Sequence, residues 1–137
     1  MGVSDGDTIT VLRGQEPVKV RLYGIDCPEK SQAFGQKAKQ RTSALVFGAT
    51  VTVQPADIDR YGRTVAKVSL EDGRSLNEEL VAGGYAWWYR EYAPKDERLG
   101  RLEAGAREKG LGLWADEGAE APWEFRRLER TRRKGGA

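Results

Sequence analysis

The chain contains no histidine, and Cys27 is its single cysteine among 137 residues. Without histidine it cannot carry a Ser-His-Asp triad, a Cys-His dyad, a histidine-ligated zinc ion or a histidine general base. One cysteine cannot form an internal disulfide, and it leaves the redox compartment open. Acid–base chemistry in this protein must therefore use carboxylates, lysine, tyrosine or the one thiol.

Long apolar runs are also missing, so the sequence predicts no membrane span. The composition, 39% hydrophobic and 32% charged, is globular, and the net charge of +2 says little about partners. The length predicts one domain, which we place at residues 1–115. Residues 116–137 are expected to form a basic, flexible extension, because six Arg or Lys and only two Glu follow from Glu124 onward. That extension could raise affinity for polyanions or merely aid solubility.

Acidic side chains lie in two short polar segments of the sequence. The four acids are Asp5, Asp7, Asp26 and Glu29. If folding brings them together, each pair at ~4 Å costs roughly 4 kcal/mol at an effective dielectric near 20, which a cation or bound protons must offset. Arg21 precedes the second segment, and Arg63 lies in a later turn. Two guanidiniums beside a hard-cation site indicate a place where a phosphate ester is held.

The apolar pattern predicts short strands with helices between them. Strands are expected over residues 8–12, 17–23, 50–53 and 63–70, and helices over 33–47, 75–83 and 95–109. Strict alternation over 17–23 places Arg21 on the face opposite the apolar side chains. The fold class is α+β, and a five-stranded barrel of the oligonucleotide-binding type (OB-fold) with about three helices fits this order.

Four motifs occur in a fixed order along the chain. They are Asp-Gly-Asp-Thr at 5–8, Val-Arg-Leu-x-Gly-Ile-Asp-x-Pro-Glu at 20–29, Asp-Arg-Tyr-Gly-Arg at 59–63 and Leu-Asn-x-x-Leu-Val-x-x-Gly-x-Ala at 76–86. Each motif alone is weak, since Asp-Gly-Asp occurs in many turns. Together, at these intervals, they resemble the thermonuclease (staphylococcal nuclease-like) family over about residues 3–114.

The resemblance implies a calcium-dependent endonuclease that cuts DNA and RNA and leaves 3′-phosphates. Asp7 and Asp26 would be the calcium carboxylates, and the backbone carbonyl of Cys27 would be a further ligand. Asp5 would stand behind these ligands. Calcium accepts many oxygen ligands in loose geometry, which suits two carboxylates, although the ligand type does not exclude magnesium. The thiol of Cys27 is expected to be a bystander rather than a nucleophile.

By the same resemblance, Arg21 and Arg63 would hold the phosphate oxygens. Glu29 would either deprotonate the attacking water or only orient it, and both roles stay open because an ordinary Glu, with a pKa of ~4.3, is a weak base. Arg60, Tyr61 and Tyr92 would line the nucleotide site, and Tyr89, in the aromatic segment 85–92, is expected from the residues themselves to help form the same substrate-binding surface. The substrate is expected to be single-stranded or flexible DNA and RNA, and the protein is expected to act as a monomer. By the same resemblance, it is expected to be secreted or held in the cell envelope.

Ordinary structural roles compete with these assignments. Asp-Gly-Asp alone is more often a turn, the arginines alone are more often solvated ion-pair residues, and Glu29 could cap the following helix. A catalytically silent nuclease-like domain that binds nucleic acid or protein is the alternative function.

Two departures from the family stand out: the loop over residues 30–35 is short, and little sequence precedes Asp5. Residues 1–4 could be a stub of the first barrel strand, or the barrel could close in another way.

Overall fold

The computed structural model describes residues 2–135, which form one five-stranded sheet, a two-stranded sheet and four helices. The large sheet contains β1 (Gly2–Asp5), β2 (Thr8–Arg13), β3 (Glu16–Leu22), β5 (Thr52–Ile58) and β6 (Thr64–Ser69). The small sheet contains β4 (Ile25–Asp26) and β7 (Trp87–Trp88). The helices are α1 (Gly35–Val46), α2 (Leu76–Ala82), α3 (Glu97–Lys109) and α4 (Pro122–Gly135), and one 3-10 turn spans Gly112–Ala115.

Strand order in the large sheet is β1-β2-β3-β6-β5. Neighbours are antiparallel except β3 and β6, which run parallel. The alternation along β3 works as the sequence predicts, because Val20 and Leu22 are fully buried while Arg21 lies on the opposite face. The α+β class and the five strands of the main sheet are therefore confirmed.

The predicted closure into a barrel is wrong for the part of the chain that the structure describes. β1 pairs with residues 8–10 of β2, and β1 and β5 remain the two edges of the sheet. Six of the seven residues of β5 are exposed. An open groove of about 510 Å³, lined by Val11, Val18 and Val53 among others, runs between β2 and β5. Within residues 2–135, the four residues of β1 cover only the first half of β2, so no described strand bridges from β1 to β5.

The core lies between the large sheet and helices α1 to α3, with Ile9, Val20, Leu76 and Leu80 fully buried. Asn77 ties these layers together: its amide donates to the carbonyls of Tyr23 and Ala66 and accepts from the N–H of Val68. This buried side chain therefore anchors α2 to the parallel strand pair. No helix within residues 2–135 is both long and apolar enough to cross a membrane.

Candidate active site

The turn between β1 and β2 carries Asp7 and follows Asp5, the last residue of β1, and α1 holds this turn in place. The Thr42 hydroxyl donates to the carbonyl of Gly6. A Cβ on Gly6 would lie 2.9 Å from the Cys27 Sγ and 3.1 Å from the Cβ of Ala38, so only glycine fits at this position. The close approach holds the acidic turn against the segment that carries Asp26.

Asp7 and Asp26 converge on one guanidinium. Arg21 Nη1 lies 3.3 Å from Asp7 Oδ2, and Arg21 Nη2 lies 3.4 Å from Asp26 Oδ1. The N–H of Cys27, twenty residues along the chain, also donates to Asp7 Oδ2 at 2.7 Å. Both carboxylates are buried, with 6% and 1% of their surfaces exposed. The structure thus brings together three residues that the sequence predicted to share a site.

Glu29 reaches the same cluster from the loop before α1. Its backbone N–H donates to Gln32 Oε1, and its carbonyl accepts from the N–H of Gln32. Gly35 packs so closely beneath it that a Cβ there would lie 1.8 Å from the Glu29 carbonyl oxygen. The loop therefore has little freedom, and the Glu29 carboxylate, about one third exposed, faces the mouth of the cluster.

Burial and mutual repulsion leave this cluster electrostatically strained. Burial, together with the charge of the nearby Asp7, raises the pKa of Asp26 to about 6, against the hydrogen bonds that it accepts from Arg126. Burial, followed by Asp7 and Glu29, also raises the pKa of Asp5, whose buried Oδ1 has no hydrogen-bond partner within the described residues. Burial raises the pKa of the Cys27 thiol as well, so this sulfur stays protonated and is a poor nucleophile.

Arg126 in α4 completes the cluster, and the sequence did not single it out. Its Nη2 donates to Asp26 Oδ2 at 2.7 Å, and its Nη1 donates to Glu29 Oε1 at 2.8 Å and to Asp26 Oδ1 at 3.2 Å. A helix was detectable here: Pro122 is a good first helical residue, and neither glycine nor proline occurs over the next twelve residues. The residue on which Arg126 docks was not detectable, because no local pattern in the sequence links Arg126 to Asp26. The flexibility of residues 116–137 stays a prediction.

Aromatic rings border the cluster on the α4 side. Trp123 stacks on Tyr89 with ring centroids 5.1 Å apart and an interplanar angle of 9°. Trp87 meets Trp123 edge-on at 5.5 Å, and Tyr92 meets Tyr89 edge-on at 4.6 Å. Tyr89 is held beside the site by its own N–H, which donates to the Gly24 carbonyl. Burial, and then the charge of Asp26, raises the pKa of the Tyr89 hydroxyl.

Arg63, Arg60 and Tyr61 form a separate group in the turn between β5 and β6. Arg63 Nε donates to Asp59 Oδ2 at 2.7 Å, so its guanidinium is paired locally rather than with the acidic cluster. Arg60 and Arg63 lie over the exposed Tyr61 ring at 5.0 and 5.4 Å. The sheet nevertheless brings this turn close to Arg21, because Thr64 is in register with Val20 on the adjacent parallel strand.

The donor atoms of the cluster fit a hard cation. The carboxylates of Asp7 and Asp26 both lie within 3.4 Å of the Arg21 guanidinium, the buried Oδ1 of Asp5 has no hydrogen-bond partner within residues 2–135, and all are oxygens of the kind calcium prefers. Residues 2–135 contain no group of three or more Asp, Glu, His or Cys side chains arranged to hold a metal. An ion bound here would therefore need backbone carbonyl, solvent or substrate oxygens as further ligands, and both oxygens of Asp26 are hydrogen-bonded to Arg126.

Comparisons with known proteins agree with the motifs. The profile of the family described as "Staphylococcal nuclease homologue" matches residues 19–116. "Protein ParB" of Escherichia coli is 43% identical, over 98% of this chain and 81% of its own length. "Micrococcal nuclease" of Shigella flexneri is 41% identical, over 94% and 79%, and an "Uncharacterized endonuclease" of Haemophilus influenzae is 44% identical, over 93% and 71%.

Proposed function

The chain belongs to the staphylococcal nuclease homologue family, and we propose that it is a calcium-dependent endonuclease that hydrolyses phosphodiester bonds of DNA and RNA to leave 3′-phosphates. Family membership and the named nuclease relatives support nuclease activity in general. The observation that carries the finer proposal is the convergence of Asp7 and Asp26 on Arg21. Cleavage must neutralise charge at a phosphate that is already anionic, and an arginine beside carboxylates that can hold a cation would supply that positive charge.

Arg21 is the phosphate-binding residue of this proposal. Its guanidinium has five N–H donors, of which the two carboxylates engage only part. The remaining donors can meet the nonbridging oxygens as negative charge grows on them in the five-coordinate transition state. A bound calcium ion would supply further positive charge beside the same oxygens. Arg63 is the proposed second guanidinium, and it must exchange its pairing with Asp59 for the phosphate.

Glu29 is the proposed partner of the attacking water. Its carboxylate lies at the open side of the cluster, with Oε1 in a hydrogen bond to Arg126. It would accept a hydrogen bond from the water and either take the proton or fix its direction of attack. The substrate strand would run over the exposed rings of Tyr61 and Tyr92. Stacking of one base on such a ring contributes roughly 1–3 kcal/mol and tolerates any sequence.

Digestion of denatured DNA and of RNA tests the proposal directly. With calcium both substrates should be cut, and with chelator neither. Arg21→Ala should lower the cleavage rate by roughly 10²-fold or more, because it removes transition-state contacts. Arg74→Ala is the matched control, since Arg74 pairs with Asp72 in an exposed turn, and it should cleave at the normal rate.

Two results would count against the proposal. Undiminished cleavage by a folded Arg21→Ala protein would remove Arg21 from the site. Binding of a single-stranded oligonucleotide without cleavage, in calcium, would favour the catalytically silent domain instead.

A further inference from the structure

We propose that helix α4 is an autoinhibitory cover, in which Arg126 occupies the cation position of the acidic cluster and Trp123 occupies the base-stacking face of Tyr89. This inference rests on the proposed function for the identity of the ligands that displace the helix. It also assigns a role to the basic extension, which the nuclease motifs leave unexplained.

Arg126 and a cation on Asp26 exclude each other. Asp26 is 1% exposed, and each of its two oxygens accepts a hydrogen bond from the guanidinium of Arg126. The same guanidinium holds Glu29 Oε1 at 2.8 Å. A cation that approaches Asp26 needs the lone pairs that Arg126 engages, so Arg126 must withdraw before the ion can bind. Withdrawal would also free Glu29 for a water molecule.

Trp123 blocks the neighbouring aromatic face in the same way. Its ring lies nearly parallel to that of Tyr89, which is the arrangement that a stacked base would adopt. Trp87 and Tyr92 close the edges of this pair. A base can therefore stack on this face of Tyr89 only when Trp123 has left it.

Among the described side chains of α4, those that attach the helix to the rest of the protein lie in its first half. Ala121 and Pro122 are buried, and Gln32 Nε2 donates to the carbonyl of Glu120 just before the helix. Farther along, Arg127 pairs with Glu124 and Arg132 with Glu129, both within the helix itself. Displacement thus breaks a small set of contacts. It also frees a strongly basic helix to follow the phosphates of the substrate, which favours release when polyanion and calcium are both present.

Calcium affinity, measured by isothermal titration calorimetry, tests the role of Arg126 without any turnover. Arg126→Ala should bind calcium roughly 10- to 100-fold more tightly than the wild type, since the ion no longer competes with charge-assisted hydrogen bonds. Arg127→Ala is the control, because Arg127 lies next on the helix and its exposed guanidinium pairs with Glu124 of the same helix; the calcium dissociation constant of this variant should not change. Arg126→Gln, which keeps a hydrogen-bond donor on a shorter side chain without the charge, is a second variant and should also bind calcium more tightly.

Fluorescence reports the movement of Trp123. The emission difference between the wild type and Trp123→Phe isolates this ring from the other three tryptophans. Calcium together with an uncleavable single-stranded oligonucleotide should shift that difference to longer wavelength as the ring enters water. An unshifted difference with the oligonucleotide bound would overturn the cover.

The cover and the proposed function can fail separately. If Arg126→Ala binds calcium more tightly but no variant cuts nucleic acid, the cover stands and the nuclease proposal fails. If the wild type cuts in calcium while Arg126→Ala and Arg126→Gln show unchanged or weaker calcium affinity, the cover is wrong and the nuclease proposal stands. Absence of calcium binding in all of these variants would overturn both.

Discussion

Asp26 is the side chain on which most of the electrostatic interactions of the site act. It is almost fully buried, lies beside Asp7, and receives hydrogen bonds from Arg21 and Arg126. Burial dominates over these two guanidiniums, so its pKa is raised to about 6 from the ordinary 3.8. A divalent cation stabilises a buried carboxylate of this kind more than a solvated one, because burial disfavours its ionised form.

The raised pKa of Asp26 predicts how stability depends on pH in chelator. Between about pH 4 and 6 the folded protein keeps a proton on Asp26 that the unfolded chain has lost. The free energy of unfolding should therefore fall as pH rises through this window, by about 1.4 kcal/mol per unit of pKa difference. Urea unfolding measured from pH 4 to 7 should show this slope, and Asp26→Asn should flatten it.

The exposed Asp72 provides the control for that experiment. Its hydrogen bonds with Arg74 lower its pKa, so Asp72→Asn should leave the downward trend of the wild type in place. Parallel curves for the wild type and Asp26→Asn would show that Asp26 does not titrate in this window.

At the scale of the elements, the site depends on close backbone contacts between a loop and a helix. The loop that carries Glu29 is held by Gln32 and by the start of α1, where Gly35 leaves no room for a side chain. The residue before it, Phe34, has a φ of 74°, a conformation uncommon for residues other than glycine. The entry into α1 is therefore fixed by these contacts rather than by a side-chain cap.

Gly35→Ala should displace Glu29 and slow cleavage. The new Cβ would lie 1.8 Å from the Glu29 carbonyl oxygen, so the loop must move, at a cost of roughly 1–3 kcal/mol in the free energy of unfolding. The cleavage rate should fall at least tenfold, since misplaced catalytic groups lose rate steeply. Steady-state cleavage and urea unfolding measure the two effects.

Gly105→Ala is the matched control. Gly105 lies inside α3, and a Cβ there has nothing within 4 Å. This substitution should stabilise the helix by roughly 0.5–1 kcal/mol and leave cleavage unchanged. Equal effects of the two substitutions would mean that packing at Gly35 does not position Glu29.

At the scale of the whole molecule, the acidic cluster lies against the basic helix α4. The acidic cluster holds four acids, and within residues 2–135 the guanidiniums of Arg21 and Arg126 are the ones paired with them. The acids therefore outnumber these guanidiniums by two. The helix that supplies Arg126 comes from the most basic part of the chain, so the protein partly neutralises its own site from a distance of one hundred residues.

Calcium should therefore stabilise the folded protein against heat. An ion bound only by the folded state contributes about 2.7 kcal/mol at a concentration one hundred times its dissociation constant. Differential scanning calorimetry should show a rise in melting temperature with calcium that chelator reverses. Asp7→Asn should abolish most of the rise, and Asp72→Asn should not. A melting temperature indifferent to calcium in the wild type would argue against the cation site.

The sequence by itself determined the family and the α+β class, because these depend on patterns that can be read along the chain: the four ordered motifs and the spacing of apolar residues, such as the alternation around Arg21. It also placed Asp7, Arg21 and Asp26 in one site, since the motifs carry that information. Only the tertiary structure decided that the sheet stays open and that Arg126 and Trp123 cover the cluster. Closure depends on whether β1 reaches β5, and docking depends on a contact between residues 26 and 126. Such long-range geometry leaves no local pattern in the chain.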